Sequence, residues 1–218
     1  MRVNLDAVCA GSIRPLASGK RSAIAKGPLA GPVPVNMDGI EGDRQADRRH
    51  HGFPAMAVHH LPCEHLRWLV ARFGLPHDFE RPGSLGENFS TTGLLEGDVR
   101  IGDRFRAGTA LLEVSQPRQP CATIEHHLQC KGIVKAMVAE AKSGWFYRVI
   151  EPGIVSAGDI LQPVERMTHR WTVSRAFQLV YGRDSADLDS LAELAALDRV
   201  SDRLLRDIEK RSRPVRPS

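Results

Sequence analysis

The sequence predicts a mainly β domain with α, barrel-like, over residues 1–165, then a small all-α domain of three helices over 166–213 and a tail over 214–218. Three observations carry this. From Met1 to about Pro163, short apolar runs are cut by Gly and Pro, the pattern of many short strands with tight connections. So many strands in one stretch point to a sandwich or a closed barrel, because closure removes the sheet edges. Beyond about residue 165, Gly and Pro thin out and apolar residues recur every three or four positions.

In chain order, VNLDAV, PVPVNM, AMAVHH, DVRIGD, FRAGTALLEVS, WFYRVI and GIVSAGDILQPV are the strand candidates. Two helices interrupt them. LPCEHLRWLVARFG, about 60–73, sets Leu66, Leu69, Val70 and Phe73 on one face, and Gly74 can end it. The second spans about 121–142, with Ile133, Met137 and Val138 at helical spacing before Gly144. The C-terminal helices are expected at about 172–181, 185–196 and 199–211, with Arg175, Arg183, Arg203 and Arg206 toward water. Each is too short to be stable alone, so they must pack together or onto the barrel. RSRPVRPS reads as a frayed tail.

A chain of 218 residues can bury an apolar core without staples. Its four cysteines, Cys9, Cys63, Cys121 and Cys130, form no CxxC pair, and MRVNLDAVCAG lacks a basic segment followed by an apolar one. A reducing cytoplasm is expected. No run approaches the roughly 18 apolar residues of a membrane span, so no membrane partner is expected. The net charge of +4 is spread along the chain, with eight basic residues against five acidic in 1–60, eleven against thirteen in 61–165 and eleven against eight in 166–218. No unbroken basic stripe follows, and aromatics at 6% leave little for base stacking, which argues against nucleic acid. The basic N-terminal segment suits a small anionic ligand or a merely solvated surface.

Four segments could carry chemistry. TALLEVS runs into QPRQPC, where Pro117 and Pro120 stiffen a loop holding Cys121, with Arg118 three residues away to lower its pKa. A buried, inert thiol is the alternative there, and it is the favoured reading for the other three cysteines. GDRQADRRHHGFP crowds Asp43, Arg44, Asp47, Arg48, Arg49, His50 and His51 between glycines, a composition open to anion binding, metal binding, acid–base work or plain solvation. RPGSLGENFSTTG pairs Gly83 and Gly86 with Glu87 and Asn88. Arg14, Lys20, Arg21 and Lys26 sit beside glycine-containing turns suited to phosphate, with a plain surface charge the favoured reading of each taken singly.

Taken in order, IRPL, SAIAKGPLAGPV, GIEGDRQADRRHHG, RPGSLGENFSTTGL, IGDRFRAGTALLEVSQPRQPC, SGWFYRV and PGIVSAGDIL resemble the MOSC domain family, named for the C-terminal domain of molybdenum cofactor sulfurases. WTVSRAFQLVYG resembles the start of the three-helix domain of its stand-alone YiiM-like branch. The resemblance implies a β-barrel-like domain whose cleft holds a molybdenum cofactor (Mo-molybdopterin), with Cys121 ligating the metal. It implies reduction of N-hydroxylated small molecules, hydroxylaminopurines and amidoximes among them, with electrons from NAD(P)H through a separate electron-transfer protein. On it, Arg14, Lys26 and Arg44 are the candidates for the pterin phosphate. Asn88 and the Gly83–Gly86 loop are placed near metal or substrate, Arg118 favours the thiolate, and His50 and His51 are candidates for proton delivery or for supporting the site. The cofactor is labile, so purified protein can lack it.

Two departures bear on substrate choice. Phe53 stands where the family often has glycine, and CATIEHHL differs from the commoner segment after the cysteine. A pyridoxal-phosphate domain is absent from these residues, so sulfur donation by that route is not expected. Two other readings of Cys121 stand beside the enzyme: a sulfur-carrier or cofactor-delivery module without turnover, and a zinc site with His126 or His127, which a helix would point away from it. A homodimer is compatible with the residues but not implied by them.

Overall fold

Seven strands close into a ring, in a computed structural model that describes residues 2–46, 53–185 and 187–213. β1 (Val3–Ala10) is followed by the short β2 (Arg14–Pro15), β3 (Arg21–Ser22) and β4 (Gly27–Pro28), then β5 (Val33–Asn36) and β6 (Gly39–Ile40). β7 (Val58–Pro62) leads into α1 (Cys63–Phe73), and β8 (Phe89–Thr91), β9 (Arg104–Ala107) and β10 (Ala110–Pro117) come next. α2 (Thr123–Leu128) and α3 (Ile133–Glu140) precede β11 (Trp145–Glu151), β12 (Gly153–Val155) and β13 (Ile160–Glu165). Then come α4 (Val173–Tyr181), α5 (Leu188–Ala195) and α6 (Asp202–Ser212).

The ring runs β1-β8-β7-β11-β10-β9-β13 and returns to β1 through Val3 opposite Leu161 and Asn4 opposite Ile160. The barrel expected from the many short strands is therefore closed. Its neighbours are antiparallel except β7 and β8, where His60 lies beside Phe89 in parallel register. β5, β6 and β12 form a small side sheet, and β2 pairs with β3. β10 is buried along its whole length, including the polar side chains of Glu113, Ser115 and Gln116.

Three expectations are corrected. The helix expected from residue 60 starts at Cys63, because His60, Leu61 and Pro62 pair with β8 and Pro62 holds extended backbone at the helix N-cap. Gly74 ends it in the left-handed region, as anticipated. The segment 121–142 is two helices. Gln129 and Gly132 take positive φ between them, and Glu125 Oε1 accepts the amides of Gly132 (2.9 Å) and Val134 (3.1 Å), so the start of α3 is capped from α2. DVRIGD forms a turn instead of a strand. Asp103 Oδ2 accepts from the Arg100 amide, and Arg100 makes only an isolated bridge to Thr172.

Each C-terminal helix begins on a side-chain cap: Thr172 accepts from Arg175 N, Asp187 from Ser190 N and Ser201 from Leu204 N. Their apolar faces, with Val173, Ala176, Leu191, Leu194, Leu204 and Ile208, join the same buried cluster as Leu112 and Val114 of β10. A second cluster, Ile24, Leu61, Leu66, Leu85, Ile124, Ile133 and Met137 among its members, packs α1, α2 and α3 around one end of the barrel. Among the described residues no helix is long and apolar enough to cross a membrane.

Candidate active site

The site forms where β10 ends. Pro117 still pairs with Trp145 of β11, and the next residues leave the sheet carrying Arg118 and Cys121. This loop is pinned from residues 143–144: the Arg118 amide donates to Gly144 O at 3.0 Å, and the Ser143 hydroxyl donates to Arg118 O. Residues 143–144 are fixed in turn by buried Glu96, whose Oε1 accepts their amides at 3.2 and 2.8 Å and whose carboxylate also meets His65 Nε2 at 2.8 Å. The sequence therefore builds a rigid mount for one thiol.

Burial alone would raise the Cys121 pKa, yet it lies below the ordinary thiol value. The Arg118 charge, the Thr123 hydroxyl and the amides of Thr123 and Ile124 together outweigh desolvation. Cys9 and Cys63 show the contrast: burial pushes them up to about 12 and about 11, as inert thiols. Arg118 is itself fully enclosed. One terminal nitrogen makes a long contact of 3.4 Å to Leu85 O, and the other, Nη1, is buried with no hydrogen-bond partner among the described residues. An orphaned guanidinium nitrogen beside a thiol is suited to an anionic acceptor.

Lys26, Arg44, Asn88, Arg118 and Cys121, all expected at the site, line one cleft of about 170 Å³. Lys20 and Arg21 line it too, and no carboxylate does among the described residues. Arg14, by contrast, is not among the lining residues: it is exposed on β2, with its Nε on Ser12 Oγ at 3.1 Å, although Ser22, its partner on β3, lines the cleft. His50 and His51 lie outside the described residues.

Two of these side chains arrive already committed. Lys26 Nζ holds Asp43 Oδ2 at 2.6 Å, with both groups buried, and burial lowers the Lys26 pKa against the opposing pull of Asp43. Asn88 Nδ2 donates to Asp43 Oδ2 (3.0 Å) and Cys9 O (3.1 Å), while its Oδ1 accepts the His59 amide at 3.1 Å. Asp43 also accepts the Gly11 amide at 2.9 Å. Lys26 and Asn88 thus shape the cleft wall more than they offer free groups, whereas Lys20, Arg21, Arg44 and Arg118 line it without an ion pair among the described residues. Gly83 is required at its place: with φ at +94°, an added Cβ would meet Lys26 O at 2.6 Å. Glu87 ties this turn by accepting Gly83 N at 2.5 Å and Leu85 N at 2.9 Å.

Sequence reasoning missed two residues here. Asp43 was one charge among many in its loop, and its role as a buried hub depends on Lys26 and Asn88, distant in sequence. His59 lines the cleft, with Nε2 at 3.2 Å from Ser143 O. Burial, and then the Arg118 charge, hold its pKa well below the usual value, so it is neutral, and the carbonyl it meets requires the proton on Nε2. His127 packs edge-on against Phe79, and no group of three His, Cys, Asp or Glu among the described residues could hold a metal ion, so a zinc site at Cys121 gains no support.

Residues 47–162 match the MOSC domain family model. The chain is 41% identical over 168 residues to protein YiiM of Escherichia coli (strain K12), covering 77% of this chain and 75% of that protein. It is 32% identical over 177 residues to a Gibberella moniliformis protein named reductase, covering 81% of this chain and 31% of that protein. The crystal structure of YiiM from Geobacillus stearothermophilus aligns with a TM-score of 0.80 at 28% identity, over 96% of this chain and 98% of that one.

Proposed function

Because the chain belongs to the MOSC domain family, we propose that Cys121 ligates the metal of a molybdenum cofactor and that the protein is an oxidoreductase of N-hydroxylated small molecules. The observation that carries this reading is the pair at the cleft floor: a thiol held below its ordinary pKa, beside the buried Arg118 with an unpartnered Nη1. The donor set fits the group. A soft thiolate suits a metal held otherwise by sulfur, and a cleft lined by Lys20, Arg21 and Arg44, with no carboxylate among the described residues, suits a phosphate-bearing pterin. When bound, that cofactor supplies two-electron redox chemistry for N–O cleavage.

The reaction balances as R–NHOH plus two electrons and two protons giving R–NH2 and water. In this reading the electrons come from a separate NAD(P)H-linked electron-transfer protein. Arg118 favours the thiolate form of Cys121 and suits negative charge at the floor. Neutral His59 keeps a proton at Nε2, one hydrogen bond from Ser143 O, and Asn88, clamped by Asp43, fixes the backbone of His59. The Glu96 clamp on residues 143–144 keeps thiol, guanidinium and imidazole in one geometry.

The test is metal analysis and turnover of protein made in a cofactor-competent host, beside Cys121→Ala. Wild type should hold molybdenum near one per chain and reduce benzamidoxime. The variant should lose at least about tenfold in metal retention, the lower end for a disturbed metal site. Wild type that binds no molybdenum under those conditions sinks the reading. Should Cys121 instead gain the mass of one sulfur atom, with no turnover when electrons are supplied, a sulfur-carrier role replaces it.

A further inference from the structure

The cleft has a second arm. From Cys121 a cavity of about 330 Å³ passes Met56 and Phe146 and reaches Tyr181 at the end of α4 and Arg203 and Asp207 on α6. That size lies within the roughly 300–1,000 Å³ of small-molecule sites. The two arms share Lys20, Met56, Arg118, Cys121, Thr123 and Phe146 and diverge from there. Their electrostatics differ. Among the described residues the charged groups of the first are all cations, whereas the second, beyond the shared Lys20 and Arg118, sets Asp207 against Arg203, with Nε to Oδ2 at 3.0 Å. An anionic cofactor tail is better matched to the first arm, and an uncharged polar molecule to the second.

The α6 wall is held in place at the site. The Ser201 hydroxyl, the α6 N-cap, donates to Gln116 Oε1 at 2.6 Å, and Gln116 lies on β10 just before the Cys121 loop. Two residues on, Arg203 is half-buried, contrary to the water-facing position its helical pattern suggests. Asp207, almost fully buried, fixes it through Nε while also accepting the Tyr181 hydroxyl at 2.9 Å and standing 3.5 Å from Lys210 Nζ. The two terminal nitrogens of Arg203 make no hydrogen bond among the described residues. A guanidinium fork held by its third nitrogen to a carboxylate has its two terminal nitrogens left to donate to an acceptor.

Resting on the proposed function, we propose that the second arm takes the substrate and that Arg203 is its specificity-determining residue. Arg203 hydrogen-bonds an acceptor, such as a ring nitrogen or carbonyl, on the part of the substrate remote from the N–OH group. Asp207 and Tyr181 are positioning residues that orient it. The C-terminal helices then belong to the substrate site, not only to the core.

The test uses two probes of equal size, pyridine-4-carboxamidoxime and benzamidoxime, which differ by one remote ring nitrogen. Because Cys121 lies on both arms, an occupant of the second slows its alkylation by iodoacetamide, read by peptide mass spectrometry on the full chain without cofactor. The pyridine probe should protect at about tenfold lower concentration, as expected for one hydrogen bond to a charged donor. Arg203→Met should erase that preference, Arg206→Met on the exposed side of α6 should keep it, and Tyr181→Phe should weaken it with thermal unfolding unchanged. In loaded protein the preference should appear in KM more than in kcat. Equal protection by the two probes, no protection by either, or a preference that survives Arg203→Met overturns the proposal. Protection as expected without turnover of either amidoxime would leave the arm standing and remove the reductase reading instead.

Discussion

Arginines gather at two places along β10, and the two are treated in opposite ways. Beside the middle of the strand, buried Glu113 faces three of them: Arg104 Nε at 2.8 Å, Arg199 Nε at 3.4 Å and Arg148 Nε at 3.6 Å. Glu165 adds a second carboxylate, at 2.6 Å from Arg199 and 3.3 Å from Arg104. Just past the end of the same strand, Arg118 is more deeply buried and has no carboxylate at ion-pair distance among the described residues. A charge that only holds the barrel wall to the segment after β13 is neutralised by neighbours. A charge left uncompensated at a cavity, beside an ionisable thiol, marks where something from outside completes the set.

The contrast can be broken by mutation. Glu113→Ala leaves three arginines facing one another and should cost about 3 kcal/mol in urea unfolding, the low end for a buried ion pair because the arginines are partly solvated. The pH profile of Cys121 alkylation should not move, and a stability loss under about 1 kcal/mol would mean the network is ornamental. A neutral group offers the next test. Burial drives His60 down to about 3, where it stacks on Trp145 and meets Thr91 Oγ1 at 2.8 Å. The unfolded chain takes this proton near 6.5, so the contribution is intact above that pH and is lost as pH falls toward 3, with His59 acting in the same direction. Between pH 7 and pH 4.5 wild type should therefore lose roughly 2–3 kcal/mol more than His60→Gln. The smallest change in stability is expected for Arg118→Met, within about 1 kcal/mol and toward a gain, since an unpaired buried charge is removed. Its signature is chemical instead: the midpoint of Cys121 alkylation should rise toward the ordinary thiol range. A large destabilisation with an unmoved midpoint would return Arg118 to the structural class.

Much of this is legible in the sequence. Proline on both sides of Arg118 marked a stiff loop, and the glycines before Asn88 marked a turn that Lys26 now explains by its close backbone approach. The two histidines of AVHHLP were beyond that kind of reading. Adjacent residues on a strand face opposite ways, and only the pairing of β7 with both β8 and β11 decides that His60 meets Trp145 while His59 meets the cleft. Arg203 and Asp207 form an ordinary i,i+4 helix pair in sequence. Their place on a cavity wall depends on how α6 lies against β10, 85 residues away at the Ser201–Gln116 contact. The break near residue 130 was hidden for a local reason, because one glutamate side chain caps a helix that periodicity alone would have run through.

Closure of the barrel between Val3 and Leu161 also sets an order of events during synthesis. β4 covers the Cys9–Ala10 end of the first strand early, but its Val3–Asn4 end must wait for nearly the last strand, so the nascent chain carries an open β edge until residues 160–165 leave the ribosome. Contacts this far apart in sequence slow folding. The Cys121 mount, built on strands of that same ring, reaches its final geometry only after the ring shuts.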